Sequence, residues 1–433
     1  MTSTLENLNP HRAFAVDVVQ RLRAAGFHAL WAGGCVRDQL LGMTPKDFDV
    51  ASTATPDEVI QLFGKRRTIP VGASFGVVIV LGPTKAAGQI EVATFRTDGT
   101  YLDGRRPTSV TFGRPEEDAR RRDFTINGMF YDPIADQVID YVGGREDLAA
   151  HVIRAIGDPV ARFTEDKLRL LRAVRFAATL GFELEDQTAA AVRDLHHTLP
   201  QVSVERIAQE LRRMLAHPTR ADALRMLLAT GLLGSIFLDL SSLSFDSPVA
   251  TELLTTIAAL RVERFEPSLA SIALAIAEVA HDGVPAELAR RICRDLRLSN
   301  DETDCVGWIV QHLPTLAGIR DRPLHILKPL LADDRHVLLL DLARALAASR
   351  EQEPVDAAFC DDYLSRTLPE RLNPRPLIDG RDVAAAGIAP GPRVGTLLHR
   401  LRCEQLDERL TSREAALDRL RQLAASSHSS ASD

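Results

Sequence analysis

The residue pattern changes once along the chain, near residue 155, and this change limits the possible folds more than any other feature. Before it, β-branched runs alternate with glycines, and the clearest strand candidates are 29–32, 76–81 and 89–95. After it, apolar residues recur every three or four positions between prolines and glycines, as in successive amphipathic helices. The sequence therefore predicts an α+β protein, with an α/β head followed by an all-α remainder.

Length and composition are typical of a protein of several domains. The 433 residues are too many for one compact core. Because the chain lacks a membrane-length apolar run and a signal-peptide pattern, we expect a cytoplasmic protein without a membrane partner.

The net charge of -7 excludes a uniformly basic nucleic-acid binder, so any contact with RNA must rest on a local basic surface. The five scattered cysteines argue against structural zinc and a disulfide framework, and the oligomeric state stays open.

A pair of glycines marks an informative turn in the head. Gly33 and Gly34 follow the first strand candidate and precede a predicted helix at 36–41. Glycine lets backbone N–H groups approach phosphate oxygens, and the start of a helix adds partial positive charge. Arg37 can bind a phosphate through two N–H groups. This turn therefore predicts a binding site for the phosphates of a nucleotide.

Two aspartates separated by one residue predict a site for divalent cations. In a strand at 48–51, Asp47 and Asp49 would project to one side, and carboxylate oxygens suit Mg²⁺. Glu91 adds a third carboxylate, which is costly to bury without a positive partner. The pattern predicts two-metal phosphoryl transfer, with all three acids as catalytic residues and the two aspartates as ligands of two Mg²⁺ ions. Alternatively, the aspartates are surface-turn residues after Pro45.

A charged segment at 162–180 offers a way to recognise a base. We expect one helix, in which Asp166, Arg169, Arg172 and Arg175 follow a spacing of three. Asp166 can only accept hydrogen bonds and Arg169 can only donate them. Cytosine and adenine each place an amino group beside a ring acceptor and fit this pair. Uracil and guanine would leave groups unpaired, at about 1–3 kcal/mol each. The alternative is a solvated helix face.

These motifs, in their order along the chain, resemble those of bacterial-type tRNA nucleotidyltransferases and the related bacterial poly(A) polymerases. The resemblance spans nearly the whole chain. It rests on G-G-C-V-R-D at 33–38, K-D-F-D at 46–49, R-R-D-F-T-I-N at 121–127, E-D-K-L-R at 165–169 and S-V-E-R-I at 203–207.

The resemblance implies four domains. They are a nucleotidyltransferase head of the polymerase β type at 1–155, a helical neck with the nucleotide-selecting helix at 156–230, a helical body at 231–350 and a tRNA-binding helical tail at 351–433. It also implies that the body is a structural remnant of a phosphohydrolase module, because 280–283 and 311–312 match too few of the metal ligands of that module.

The resemblance further implies an enzyme that adds CMP and AMP from CTP and ATP to the 3′ end of tRNA, contacting its acceptor stem and releasing pyrophosphate. Glu165 would steady Arg169, while Asp123 and Asn127 would read the ribose; Asp123 alternatively caps a helix before Phe124. The implied nucleotide-binding residues are Gly33, Gly34, Arg37, Arg122, Asp123, Asn127, Glu165, Asp166, Arg169, Arg172 and Arg175.

Several alternative functions stay open at this point. The segment 96–107 matches a loop that family members need to add the terminal A, and 70–76 is closer to the tRNA-type pattern than to that of poly(A) polymerases. An enzyme that adds only A and a poly(A) polymerase are the nearest alternatives. A small-molecule nucleotidyltransferase would not need the helical half, and an inactive RNA-binding protein would not need the intact acidic residues.

Overall fold

The computed structural model describes residues 9–72, 76–98, 110–280 and 284–426. The chain forms two compact units, Met1–Phe245 and Asp246–Asp433. The four predicted domains are a finer division and stay a prediction. Residues 73–75, most of the 96–107 loop, and His281 with Asp282 lie outside the described residues.

The strands of the first unit form one large sheet and two small ones. They are β1 (Ala29–Ala32), β2 (Asp49–Ser52), β3 (Thr68–Gly72), β4 (Val77–Leu81), β5 (Gln89–Thr94), β6 (Arg96–Asp98), β7 (Val110–Phe112), β8 (Phe130–Asp132), β9 (Gln137–Ile139), β10 (Val152–Ile153) and β11 (Glu183–Leu184). The large sheet has the order β3-β4-β5-β2-β1-β8-β9. Its β2 and β5 are parallel and its other neighbours antiparallel.

The helices of the first unit pack around this sheet and continue beyond it. They are α1 (Pro10–Ala24), α2 (Gly34–Leu40), α3 (Pro56–Phe63), α4 (Pro115–Arg120), α5 (Gly144–Ala149), α6 (Pro159–Glu165), α7 (Leu168–Leu180), α8 (Asp186–Leu195), α9 (Val204–Leu215), α10 (Arg220–Ala229) and α11 (Leu232–Ile236). Helix α1 begins where the Asn9 side chain accepts a hydrogen bond from the His11 N–H and Pro10 supplies the first helical residue.

The regular secondary structure in the described residues of the second unit consists of helices. Its helices are α12 (Pro248–Ala259), α13 (Phe265–Ala280), α14 (Pro285–Asp295), α15 (Asn300–Leu316), α16 (Leu324–Ala332), α17 (His336–Ser349), α18 (Val355–Arg366), α19 (Pro369–Leu372), α20 (Gly380–Ala385), α21 (Pro392–Leu406) and α22 (Arg413–Ser426). Among the described residues no single helix could cross a membrane, and α13 with α14 meets the length and composition requirement only as a pair bent by 117°.

The sheet-containing first unit and the helical second unit confirm the predicted α+β class. Strand β1 has the predicted bounds, whereas β2 begins at Asp49 and not at residue 48. The single helix expected at 162–180 is wrong, because the backbone of Asp166 adopts φ -139° and ψ 103° and separates α6 from α7. The Asp166 carboxylate instead accepts a hydrogen bond from the Leu168 N–H at 3.1 Å, which stabilises the start of α7.

Candidate active site

The glycine turn between β1 and α2 forms one wall of a cleft in the first unit. Gly33 has φ +76°, a conformation that favours glycine. A Cβ atom at this position would lie 2.9 Å from Nη1 of Arg122, so a side chain would also displace that guanidinium. The turn therefore depends on glycine for its backbone conformation and for the close approach of an arginine.

The acidic residues lie where two parallel strands are adjacent. Asp49 begins β2 and is in register with Glu91 of β5, and the exposed Asp47 and Asp49 flank the buried Phe48. Asp49 keeps contact with solvent, but partial burial raises its pKa to about 6, helped by the negative charges of Glu91 and then Asp47 and opposed by Arg122. This cluster carries negative charge that the protein does not fully compensate.

The acidic cluster fits a divalent cation whose coordination is completed by a substrate. No three His, Cys, Asp or Glu side chains in the described part of the chain are close enough together to hold a metal ion. Two aspartates alone would suffice for Mg²⁺, because Mg²⁺ commonly binds one or two carboxylates together with substrate phosphates and water. The raised pKa of Asp49 indicates that a nearby positive charge would be favourable.

A continuous hydrogen-bond chain links four of the predicted nucleotide-binding residues. Arg37 Nη1 donates to Asn127 Oδ1 at 2.7 Å, and Asn127 Nδ2 donates to Asp123 Oδ1 at 3.1 Å. Arg172 Nε donates to Asp123 Oδ2 at 2.8 Å. Burial alone would raise the pKa of Asp123, but the charge and hydrogen bond of Arg172, with help from Asn127 and Arg169, lower it to about 2. Asp123 is therefore a fixed anion that orients Arg172.

Asp123 does not cap a helix, although that was the alternative for this residue. It accepts a hydrogen bond from the Phe124 N–H at 2.8 Å. The 3₁₀ turn that follows, Thr125–Asn127, has Phe124 as its N-cap residue. The Asp123 carboxylate therefore binds the backbone of the N-cap residue Phe124, and Asp123 is not itself the N-cap residue of the turn.

Asp118 holds two arginines and was not identified from the sequence. Its buried carboxylate accepts hydrogen bonds from Arg121 Nη2 at 2.6 Å and from Arg122 Nη2 at 3.0 Å. Burial would raise the pKa of Asp118, but the two guanidinium groups hold it below its usual value. The available signal was an acid three and four residues before two arginines, a spacing that brings side chains together on a helix.

The residues predicted to select a base have additional partners. Arg206 donates to both carboxylate oxygens of Asp166, at 3.1 and 2.8 Å. Arg169 Nη1 donates to Glu165 at 2.8 Å, so the predicted contact between these two residues is present. Arg169 also donates to the Arg162 carbonyl at 2.9 Å. Both Asp166 and Arg169 are thus held in fixed orientations.

Phe176 lies against three arginines, although the sequence suggested only an apolar helix position. The guanidinium groups of Arg37, Arg172 and Arg175 lie 5.1, 5.2 and 4.0 Å from the centre of its ring. The spacing of four residues between Arg172 and Phe176 could have indicated a contact. Arg175 also pairs with the buried Glu210.

Most predicted nucleotide-binding residues line one cleft, which has a volume of about 500 Å³. Arg96, Arg121 and Phe176 line it in addition, whereas Glu165 and Arg175 do not. Its six arginines exceed its three aspartates, so the cleft attracts anions. The lining residues are Gly33, Gly34, Arg37, Asp49, Arg96, Arg121, Arg122, Asp123, Asn127, Asp166, Arg169, Arg172 and Phe176.

Comparisons with known proteins agree with this arrangement. Residues 29–154 match the Poly A polymerase head domain, and residues 181–243 match the "Probable RNA and SrmB- binding site of polymerase A". A CCA-adding enzyme from Lactobacillus helveticus is 35% identical over 411 residues, which cover 94% of this chain and 95% of the relative. One from Lactobacillus johnsonii is 33% identical over 95% of this chain and 98% of the relative.

A solved structure has the same fold. The crystal structure of the Bacillus stearothermophilus CCA-adding enzyme in complex with CTP superposes with a TM-score of 0.77 and 28% sequence identity. The match covers 98% of this chain and 100% of that one. With relatives above 30% identity over nearly its whole length, the chain belongs to the family of CCA-adding enzymes.

Proposed function

We propose that this protein adds CMP and AMP to the 3′ end of tRNA and builds the sequence CCA without a nucleic-acid template. The observation that carries this proposal is one cleft that combines the Gly33–Gly34 turn, Asp49 and the pair Asp166 and Arg169. The full-length relatives named as CCA-adding enzymes and the related structure with CTP support the same activity. CTP and ATP are the nucleotide substrates and tRNA is the acceptor.

Asp47 and Asp49 are the residues that would hold two Mg²⁺ ions, together with the phosphates of the nucleotide. Bound there, such ions favour ionisation of the attacking hydroxyl and neutralise the departing pyrophosphate. Glu91, in register with Asp49, assists activation of the tRNA 3′-hydroxyl, which attacks the α-phosphate. A new phosphodiester bond forms as the bond to pyrophosphate breaks.

The arginine-rich part of the cleft binds the triphosphate. Arg37, Arg122 and Arg172 direct positive charge into the cleft, and the backbone at Gly34 is open to phosphate oxygens. Arg175 acts indirectly, because its guanidinium packs against the Phe176 ring and pairs with Glu210 and does not line the cleft. The carboxylates that hold these arginines position the donors before the nucleotide arrives, so little of the binding energy is used to order them.

Asp123 and Asn127 lie in the same cleft and act together at the ribose. Each oxygen of Asp123 already accepts two hydrogen bonds, Oδ1 from Phe124 and Asn127 and Oδ2 from Arg172, whereas Asn127 Oδ1 accepts one, from Arg37, and keeps a lone pair. Asn127 Oδ1 can therefore accept a hydrogen bond from a sugar hydroxyl, while Asp123 holds the Asn127 amide in place. A ribonucleotide would therefore gain a contact that a deoxyribonucleotide lacks.

Asp166 and Arg169 select the base through the donors and acceptors that remain available. Asp166 Oδ2 accepts one hydrogen bond, from Arg206, and keeps a lone pair for the amino group of cytosine or adenine. Arg169 uses Nη1 for Glu165 and the Arg162 carbonyl and Nη2 for the Arg121 carbonyl at 3.2 Å, and its Nε–H donates to the neighbouring ring nitrogen. Uracil and guanine present the opposite order and leave both side chains unsatisfied.

The direct test is extension of three tRNA transcripts, one lacking CCA, one ending in C and one ending in CC, with CTP and ATP at single-nucleotide resolution. All three should be extended to CCA and no further. Addition of a single A to the CC-ended transcript alone would replace the proposal with an A-adding enzyme. Long A tails on unrelated RNA would replace it with a poly(A) polymerase.

A further inference from the structure

The two aspartates of the acidic cluster are joined through one buried aromatic residue. Phe48 lies between them in the chain and is 2% exposed, whereas Asp47 and Asp49 are exposed. Strand β2 begins at Asp49, so Asp47 and Phe48 precede the strand. The position of Asp47 relative to the sheet therefore depends on how the ring of Phe48 is packed.

The first turn of α1 covers the ring of Phe48 and the ring beside it. The rings of His11 and Phe48 meet edge to face, with their centres 5.4 Å apart and their planes at 88°. The centre of the Trp31 ring lies 4.7 Å from that of Phe48. The guanidinium of Arg12 lies 5.3 Å from the centre of the Trp31 ring. Two successive residues of α1 thus contact the aromatic pair that anchors the two aspartates.

Hydrogen bonds hold His11 itself in place. Its backbone N–H donates to Oδ1 of Asn9 at 3.0 Å, at the start of α1. Its Nε2 lies 3.0 Å from the carbonyl oxygen of Gln89 and donates to that oxygen in the tautomer that carries the proton there. A Cβ atom at Gly88 would lie 3.4 Å from Cδ2 of His11, so the ring passes close to this glycine. The imidazole is therefore fixed against the start of β5.

The imidazole of His11 connects the two strands that carry the acids. On one side it contacts Phe48, which directly precedes Asp49 of β2. On the other side it bonds to Gln89, the first residue of β5, and Glu91 follows two residues later. Mg²⁺ demands nearly ideal placement of its oxygen ligands. A link of this kind would limit how far the Asp47–Asp49 segment can move relative to β5.

We propose that His11 is a positioning residue for the acidic cluster. It acts through the ring of Phe48 and is not itself a metal ligand. Without the imidazole, the Asp47–Asp49 segment occupies more positions and binds a divalent cation less tightly, because residues that orient metal ligands contribute to affinity. This inference rests on the proposed function only in that Asp47 and Asp49 are the metal ligands.

Binding of Mn²⁺ to the full chain tests this inference without tRNA and without turnover. With CTP present, the relaxation of water protons distinguishes Mn²⁺ held by the protein from Mn²⁺ bound to free nucleotide. His11→Ala should weaken Mn²⁺ binding about tenfold. Asp49→Asn, which removes a ligand, should weaken it further. His11→Phe keeps a ring against Phe48 but cannot donate to the Gln89 carbonyl, so its affinity should lie between those of wild type and His11→Ala.

A double-mutant cycle tests whether His11 acts through Phe48. Phe48→Leu keeps apolar volume but removes the ring that His11 contacts. In this background His11→Ala should cause less than about a twofold further loss of Mn²⁺ affinity, because two residues in contact have coupled effects. A full tenfold loss in both backgrounds would show independent action and overturn the inference.

The matched control is His28→Ala. His28 is exposed, and its ring centre lies 5.9 Å from that of the buried Phe95, so this variant also loses a contact between a histidine and a phenylalanine. It should bind Mn²⁺ as the wild type does. Thermal unfolding verifies that each variant is folded.

The outcomes separate this inference from the proposed function. A folded His11→Ala protein with wild-type Mn²⁺ affinity would overturn the inference, even if the wild type extends tRNA to CCA. Wild-type Mn²⁺ binding that Asp49→Asn does not weaken would overturn it as well. Weakened binding in His11→Ala, absorbed by Phe48→Leu, would support the inference even if the wild type failed to extend tRNA.

Discussion

Asp49 and Asp123 line the same cleft, yet their surroundings change their pKa in opposite directions. Partial burial raises the pKa of Asp49 to about 6, and the negative charges of Glu91 and Asp47 add to that rise. Burial would also raise the pKa of Asp123, but Arg172, with help from Asn127, outweighs it and lowers the pKa to about 2. The partners therefore decide the opposite directions. Asp49 is prepared for a positive group from outside the protein, whereas Asp123 already has its cation and serves to position it.

Asp49→Asn should have the largest effect on activity and little effect on stability. Loss of an anion required at the reacting phosphate should lower the rate of nucleotide addition about 1,000-fold or more, or about 4 kcal/mol. The free energy of unfolding should not decrease, because repulsion from Glu91 is relieved. Single-turnover extension of CC-ended tRNA and urea unfolding measure the two quantities.

The control for Asp49→Asn is Asp17→Asn, which changes a half-exposed aspartate of α1. That variant should match the wild type in rate and in stability, since an exposed ion pair contributes little. An Asp49→Asn enzyme that retained a rate within tenfold of wild type would remove Asp49 from the catalytic centre.

Asp123→Asn, unlike Asp49→Asn, should reduce the stability of the protein. It removes the carboxylate that Arg172 pairs with, and the fall in pKa from 3.8 to about 2 corresponds to about 2 kcal/mol of the free energy of unfolding at neutral pH. Because the pKa is lowered on folding, this stabilisation is present above about pH 4 and is lost as the pH falls towards 2. Urea unfolding of both proteins across this range should show the difference shrink; a difference independent of pH would contradict the pairing.

Phe176→Leu should have a smaller effect, confined to nucleotide binding. Leucine retains apolar volume but removes the ring face that lies against Arg37, Arg172 and Arg175. A loss of about 1 kcal/mol would raise KM for ATP about fivefold and leave kcat nearly unchanged. Phe182→Leu, a buried phenylalanine outside the cleft lining, controls for the loss of an aromatic core residue and should leave KM at the wild-type value.

Structural features could be predicted from the sequence where a local residue pattern determines them. Strand β1 and the glycine turn after it follow from residue type over a few positions. The break at Asp166 does not, because charges spaced by three also fit a continuous helix. The break involves the hydrogen bond that the Asp166 carboxylate accepts from the Leu168 N–H. It also involves the pairing of Asp166 with Arg206, forty residues later in the chain. Such a long-range contact has no local signal.

The two site residues that the sequence analysis did not identify, Asp118 and Phe176, show the same division. Asp118 lies within one helical turn of both arginines that it holds, and that spacing could have identified it. Phe176 occupies an apolar helix position, and apolar helix positions usually indicate core packing. Its contact with Arg37 depends on how α2 and α7 meet in three dimensions.

The most direct test of the central claim, that protein side chains select the base, is a competition experiment with the Asp166→Asn variant. CC-ended tRNA is extended with ATP and UTP together, and the ratio of A to U added is compared with that of the wild type. This ratio does not depend on the fraction of active enzyme. An amide can donate as well as accept, so the preference for A should fall at least about tenfold. An unchanged ratio, even at a much lower rate, would contradict base selection by Asp166.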